Sequence, residues 1–147
     1  MKKLSYPKNK INVLLLEKVD KVAYELFNNE GYNVECMDGS LDEGELINKI
    51  KNISILGIRS KTKISKKVID SANKLLSIGA FCIGTNQIKL DECDNSGVVV
   101  FNAPYSNTRS VVEIVIAQMI NLMRKIVTKS NNMHSGIWKK DSIDSYE

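Results

Sequence analysis

Ile53-Ser54-Ile55-Leu56-Gly57-Ile58-Arg59-Ser60-Lys61-Thr62 changes character in one step. The first part, through Ile58, is apolar or small and carries three isoleucines. It reads as a strand buried on both faces. The rest holds two cations and two hydroxyls and reads as a loop.

The same rhythm extends in both directions. Toward the N-terminus, residues 42–51 place Leu46, Ile47 and Ile50 on one helical face. Asp38-Gly39-Ser40 before them is turn chemistry. Residues 32–37 alternate as a strand does. Residues 18–30 space Val19, Val22, Ala23, Leu26 and Phe27 by threes and fours, and Gly31 stands where a helix C-cap glycine belongs. Residues 11–17, INVLLLE, form another buried strand. Toward the C-terminus, Ser65 is placed to cap a helix carrying Val68, Ile69, Ala72 and Leu75. Residues 76–83 are a fourth apolar run closed by Gly84, with Cys82 inside it as an inert packing residue. Residues 90–95 read as a short helix ended by Gly97, and residues 98–101 as a fifth strand stopped by Asn102-Ala103-Pro104. Strands that alternate with helices over short connections imply parallel pairing and right-handed crossovers. The expected fold is α/β: a flavodoxin-like, five-stranded parallel sheet with helices on both faces.

The segment after Pro104 differs. From Val111 to Val127 the chain is apolar nearly all round, and Ser110 with Glu113 has the S-x-x-E spacing of a capping box. One long apolar linking helix from Ser110 to about His134, roughly 35–40 Å, is expected. Such a helix needs cover on every side. Gly136 ends it, and Trp138 follows in a polar tail. The expected division is a flavodoxin-like domain over residues 1–105 and a helical arm over 106–147.

Composition narrows the function. The chain has 147 residues and a net charge of +4, with 21 Lys and Arg against 17 Asp and Glu. That is one domain's worth of material, short of a complete two-domain dehydrogenase. No basic stripe interleaved with aromatics is present, so nucleic acid is not an expected partner. No apolar run is long enough for a membrane span, and the basic start lacks the apolar core of a secretory signal. Three cysteines without C-x-x-C spacing give neither a disulfide framework nor a zinc site, so no metal is expected and a cytoplasmic location is. Cys36 and Cys93 carry no assignment. His134 lies far from the strand ends, without a carboxylate partner in sequence, and reads as a surface or interface histidine.

Ligands of open parallel sheets bind beyond the carboxyl ends of the strands. The loop Arg59-Ser60-Lys61-Thr62 offers cations, hydroxyls and backbone N–H groups suited to a carboxylate or phosphate. Asn107 and Arg109 sit where the chain enters the next helix N-terminus, a second anion-favouring position. From spacing alone, solvated loop charges and a turn asparagine account for these residues slightly better than a site does. A phospho-receiver shares the fold but needs an aspartate and a lysine where Arg59 and Asn102 stand.

Three runs carry a resemblance: Gly57-Ile58-Arg59-Ser60-Lys61-Thr62, Ile78-Gly79-Ala80-Phe81-Cys82-Ile83-Gly84-Thr85-Asn86-Gln87 and Phe101-Asn102-Ala103-Pro104-Tyr105-Ser106-Asn107-Thr108-Arg109-Ser110-Val111. They resemble the D-3-phosphoglycerate dehydrogenases of serine biosynthesis, within the NAD-dependent D-isomer-specific 2-hydroxyacid dehydrogenases. The likeness runs from about Lys10 to Glu147. It implies the substrate-binding part of an oxidoreductase that oxidises the 2-hydroxyl of 3-phosphoglycerate. By that resemblance Arg59 and Lys61 hold the phosphate or carboxylate, Ser60 adds hydrogen bonds, and Asn107 approaches the substrate. Ile83 and Val111 would wall the nicotinamide, and Trp138 would lie at a homodimer interface. The family's glycine-rich fingerprint and its catalytic arginine, glutamate and histidine have no counterparts here, so no catalytic residue is assigned. NAD is the cofactor of the full-length family and is not expected to bind well to this chain alone. The chain reads as truncated, associating with itself or with a complementary or full-length chain. The alternative is a non-enzymatic module that binds a small anion or dimerises to regulate.

Overall fold

The computed structural model describes residues 6–146. Met1 to Ser5 of the basic start, and Glu147, lie outside that range. Five strands alternate with helices in the first part of the chain: β1 (Asn12–Leu15), α1 (Lys21–Asn29), β2 (Asn33–Cys36), α2 (Glu43–Ile50), β3 (Ile55–Ile58), α3 (Lys66–Asp70), β4 (Ser77–Ala80), α4 (Leu90–Asn95) and β5 (Val99–Asn102). The sheet order is β2-β1-β3-β4-β5, and every neighbouring pair is parallel. This is the expected flavodoxin-like order. With right-handed crossovers, the reversal at β1 puts α1 on one face and α2, α3 and α4 on the other. The core lies between that second helix layer and the sheet, where Leu14, Leu16, Leu46, Leu56, Ile58 and Ile78 are fully buried.

Local chemistry sets the helix ends. The Asp20 carboxylate accepts from the Val22 amide at 2.9 Å, so α1 starts later than the periodicity indicates and Val19 stays outside it. Gly31, at φ +87°, takes the left-handed turn that closes it. α2 opens with a capping box: Asp42 accepts from the Glu45 amide at 2.8 Å, and Glu45 accepts from the Asp42 amide at 3.1 Å. Ser65 caps α3 as expected, its hydroxyl accepting from Val68 N at 3.5 Å.

Two expectations in this part need correction. α3 ends at Asp70, because the Ser71 hydroxyl donates to the Lys67 carbonyl at 2.8 Å and the chain turns there. Ala72 and Leu75 therefore pack from a turn rather than a helix. Strand β4 ends at Ala80, so Cys82 is not in a buried strand. It is half-buried in the following loop, where it contacts the Gly84 carbonyl and the Gln87 amide.

Contacts divide the chain into two units, the second being Asn107–Glu147. The expected single linking helix is instead two: α5 (Thr108–Arg124) and α6 (Ile126–His134). They are separated by Lys125 in the left-handed conformation, φ 51° and ψ 39°. The side chain of Asn121 accepts from the Val127 amide at 3.2 Å, diverting that amide from a helical partner. The tail folds back across the break: Lys125 pairs with Asp144 at 3.0 Å, Lys129 donates to the Asp141 carbonyl, and Tyr146 N donates to the Met123 carbonyl. The Ser110–Glu113 capping box does not form. Asn107 occupies the cap position without a side-chain bond, and Glu113 takes Arg109 Nε at 2.7 Å. No described residue of α5 or α6 is fully buried, and Leu122 is 76% exposed.

Gly57 is where β1, β3 and the loop after β4 approach most closely. A Cβ there would lie 2.5 Å from Leu15 Cδ2 and 3.0 Å from Phe81 Cε2. Leu15 is buried and has no room to yield. Gly57→Ala should therefore cost about 1–3 kcal/mol in urea unfolding. Gly39→Ala, with nothing within 4 Å, should stay within about 0.5 kcal/mol. Equal midpoints for the two variants would contradict this packing.

Candidate functional site

The carboxyl ends of β1, β2 and β3 meet around a cleft of about 700 Å³. Arg59, Ser60 and Lys61 line it from the β3 loop, opposite Lys18, Asp38 and Ser40. All three loop residues are exposed, while Thr62 is fully buried beneath them. Lys18 faces Asp38 at 3.9 Å with both side chains largely in water, a pair worth little to stability.

The floor of the cleft is Glu17, 7% exposed. One carboxylate oxygen accepts from Lys61 N at 2.9 Å and the other from Thr62 N at 2.8 Å. The Thr62 hydroxyl stands beside the same carboxylate but falls short of hydrogen-bond geometry. Burial pushes the Glu17 carboxyl up. The Thr62 hydroxyl and the amides of Lys61, Thr62 and Arg59 outweigh it, and the carboxyl ends below its ordinary value. Glu17 and Lys18 both have positive φ, 62° and 53°, uncommon for non-glycine residues. Around them, Leu16 N donates to the Gly57 carbonyl and Glu17 N to the Gly39 carbonyl. This short segment therefore joins the ends of all three strands.

The loop's expected role is thereby altered. Its Lys61 and Thr62 N–H groups point inward to Glu17 and are not donors to a ligand. The loop presents side chains instead. Gln87 holds it from the other side, donating to the Arg59 carbonyl at 2.8 Å and also contacting the Gly84 carbonyl and Cys82 sulfur. Neither Glu17 nor Gln87 was singled out in the sequence. The signal for Glu17 was present, as a carboxylate closing an otherwise apolar strand run.

The other candidates lie elsewhere. Ile83 is in the loop after β4, its carbonyl accepting from Asn102 Nδ2 at 2.8 Å. Asn107, Val111 and Trp138 belong to the second unit, where Val111 is 49% and Trp138 75% exposed. His134 closes α6 with Nδ1 on the Ser130 carbonyl at 2.9 Å, a local helical contact. Among the described residues, no cluster of His, Cys, Asp or Glu suits a metal ion, and no helix is long and apolar enough to cross a membrane.

Residues 13–138 match the model of the D-isomer specific 2-hydroxyacid dehydrogenase catalytic domain. The chain belongs to that family. It is 46% identical to the D-3-phosphoglycerate dehydrogenase of Dictyostelium discoideum, over 97% of this chain and 35% of that protein. It is 43% identical to the Escherichia coli K12 D-3-phosphoglycerate dehydrogenase, over 100% of this chain and 36% of that protein. The chain thus spans about a third of the length of these relatives and matches their N-terminal part. Solved structures share the fold. The Aquifex aeolicus D-lactate dehydrogenase, complexed with NAD and lactic acid, superposes with a TM-score of 0.79 at 18% identity, over 92% of this chain and 41% of that one. The NAD-bound 3-phosphoglycerate dehydrogenase of Entamoeba histolytica gives 0.67 at 23% identity, over 79% and 40%.

The lowered Glu17 carboxyl ties stability to pH. A group whose folded value lies below its ordinary 4.5 stabilises in full above that value, and the contribution is lost as pH falls through the folded value. The unfolding midpoint of the wild-type chain should therefore drop more than that of Glu17→Gln between about pH 7 and about pH 3. Parallel pH dependences would show that the carboxylate–amide bonds contribute nothing.

Proposed function

We propose that this chain is the N-terminal, substrate-binding portion of an NAD-dependent D-3-phosphoglycerate dehydrogenase-like oxidoreductase. The full-length enzyme would oxidise the 2-hydroxyl of 3-phosphoglycerate. The observation that carries the reading is the Arg59–Lys61 loop: two exposed cations and a serine at the carboxyl end of a central strand, held from below by Glu17. The identity to phosphoglycerate dehydrogenases supports it. Arg59 and Lys61 bind the phosphate or carboxylate, Ser60 adds a hydroxyl, and Asn107 reaches the substrate in the full-length enzyme. In this reading residues 1–105 are the substrate domain and 106–147 begin the cofactor domain and its dimer arm, with Trp138 at the interface.

The residues present do not fit the pyrophosphate of a dinucleotide. The β1 loop, where a glycine-rich turn would expose amides to phosphate, carries the Glu17 carboxylate. NAD, which supplies the hydride acceptor, is held by the remainder of the full-length enzyme, with Ile83 and Val111 as apolar walls. Among the described residues, none is assigned as the general base that hydride transfer needs. The protein works in the cytoplasm.

A second reading has its own support. The exposed apolar residues of α5 and α6, Ile114 at 59% and Leu122 at 76% among them, favour a module that dimerises or docks on a full-length relative. A clean monomer in sedimentation velocity, alone and mixed with a full-length relative, would remove it.

Titration with 3-phosphoglycerate, followed by amide resonances, should perturb Arg59 to Lys61. Arg59→Ala should weaken binding by at least about tenfold, the loss of one charged hydrogen-bonding partner. Unchanged affinity would move the site elsewhere. The chain alone should form no NADH from NAD and 3-phosphoglycerate above the enzyme-free rate; measurable turnover would show a complete active site here.

A further inference from the structure

We propose that Glu17 is a positioning residue that sets the conformation of the Arg59–Thr62 loop and thereby aims the cations of Arg59 and Lys61 into the cleft. The proposal rests, for what the cations bind, on the anion-binding reading above.

The geometry is that of a brace. A carboxylate buried to 7% exposure would be costly unless its oxygens were matched, and each takes one loop amide, at 2.9 and 2.8 Å. Because those amides lie 44 and 45 residues away in sequence, the bonds fix loop to strand end and not to a neighbouring turn. Glu17 reaches them through a left-handed backbone, φ 62°, followed by Lys18 at 53°. Strain of that kind persists only where the surroundings hold it. Here the Gly39 carbonyl takes the Glu17 amide.

The consequence is directional. With the Lys61 and Thr62 amides turned inward, the Lys61 side chain and Arg59 are left to line the cleft. Without the brace the loop would be free to turn its amides outward, and the cations would lose their common direction. Glu17 thus acts on a bound anion only through Arg59 and Lys61.

The test uses the isotopically labelled 147-residue chain. Amide proton shifts of Lys61 and Thr62 are followed against pH. The charged groups facing Glu17 are Lys18 and Asp38 from the β1 and β2 ends and Arg59 and Lys61 from the loop, and an Asp38→Asn chain separates the one other carboxylate. Both amides should titrate together in either chain, below the ordinary glutamate value of 4.5. In Glu17→Gln, hydrogen exchange at Lys61 and Thr62 should quicken at least about tenfold, while Leu56 and Ile78 keep their protection. Affinity for 3-phosphoglycerate should fall about tenfold with both cations still present. Amides that do not titrate, or whose exchange is unchanged, overturn the brace. Loosened amides with unchanged affinity overturn its role in aiming the cations. Failure of the wild-type chain to bind 3-phosphoglycerate overturns the functional reading instead, and the titration still decides whether Glu17 sets the loop. If Glu17→Gln does not fold, Glu17→Asp, which keeps the charge but shortens its reach to the loop amides, takes its place in the exchange and affinity measurements with the same expected outcomes.

Discussion

A parallel sheet gathers the ends of its strands at one edge, and here a single buried carboxylate ties that edge together. The Glu17 side chain reaches across to the Lys61 and Thr62 amides, while its own amide reaches the Gly39 carbonyl. Strands β1, β2 and β3 would otherwise end in independent loops. Buried polar groups are stable only when paired. Burying Glu17 therefore requires the β3 loop to come to it, and the loop then has little freedom in how it displays its side chains. Packing imposes a second constraint at the same carboxyl end, just before the loop. Gly57 admits the side chains of Leu15 and Phe81 where a Cβ would clash, so they pack over the β3 backbone just before the loop that Glu17 braces.

The fold was legible because each apolar run begins and ends on a chemical change that a local rule reads. Gly31 and Gly97 take positive φ where the chain must reverse, and Ser65 caps the helix it precedes. Periodicity over-extended elements wherever a polar side chain intervened. Ser71 cut α3 short by bonding back to Lys67, and Asn121 captured the Val127 amide and split the terminal helix in two. Apolar spacing is unchanged across both breaks. Only the competing side-chain hydrogen bond distinguishes them, and whether it forms depends on tertiary position.

The site was half legible for a related reason. Arg59, Ser60 and Lys61 stand out because charge follows an apolar strand directly, which any reading of contrast detects. Glu17 stands in the same position at the end of β1, yet alone it looks like a solvated strand terminus. What makes it a structural anion is the pair of donors 44 and 45 residues further on, and that separation is a property of the strand order. The same distance inverts the sense of the loop amides. In sequence they are free donors for an anion; in the fold they are already taken.

The two units then differ in what they can sustain. The sheet unit buries whole side chains between its layers and needs no further cover for that core. The helical unit buries none completely among its described residues, although α5 is apolar over most of its circumference. Ordering such a segment costs backbone and side-chain entropy that partial burial offsets poorly. The bonds made by the tail, from Lys125 to Asp144 and from Tyr146 to Met123, are polar and solvent-facing and contribute little. Its apolar surface is therefore the least covered among the described residues. Most of the large apolar side chains of α5 and α6 face water in this chain.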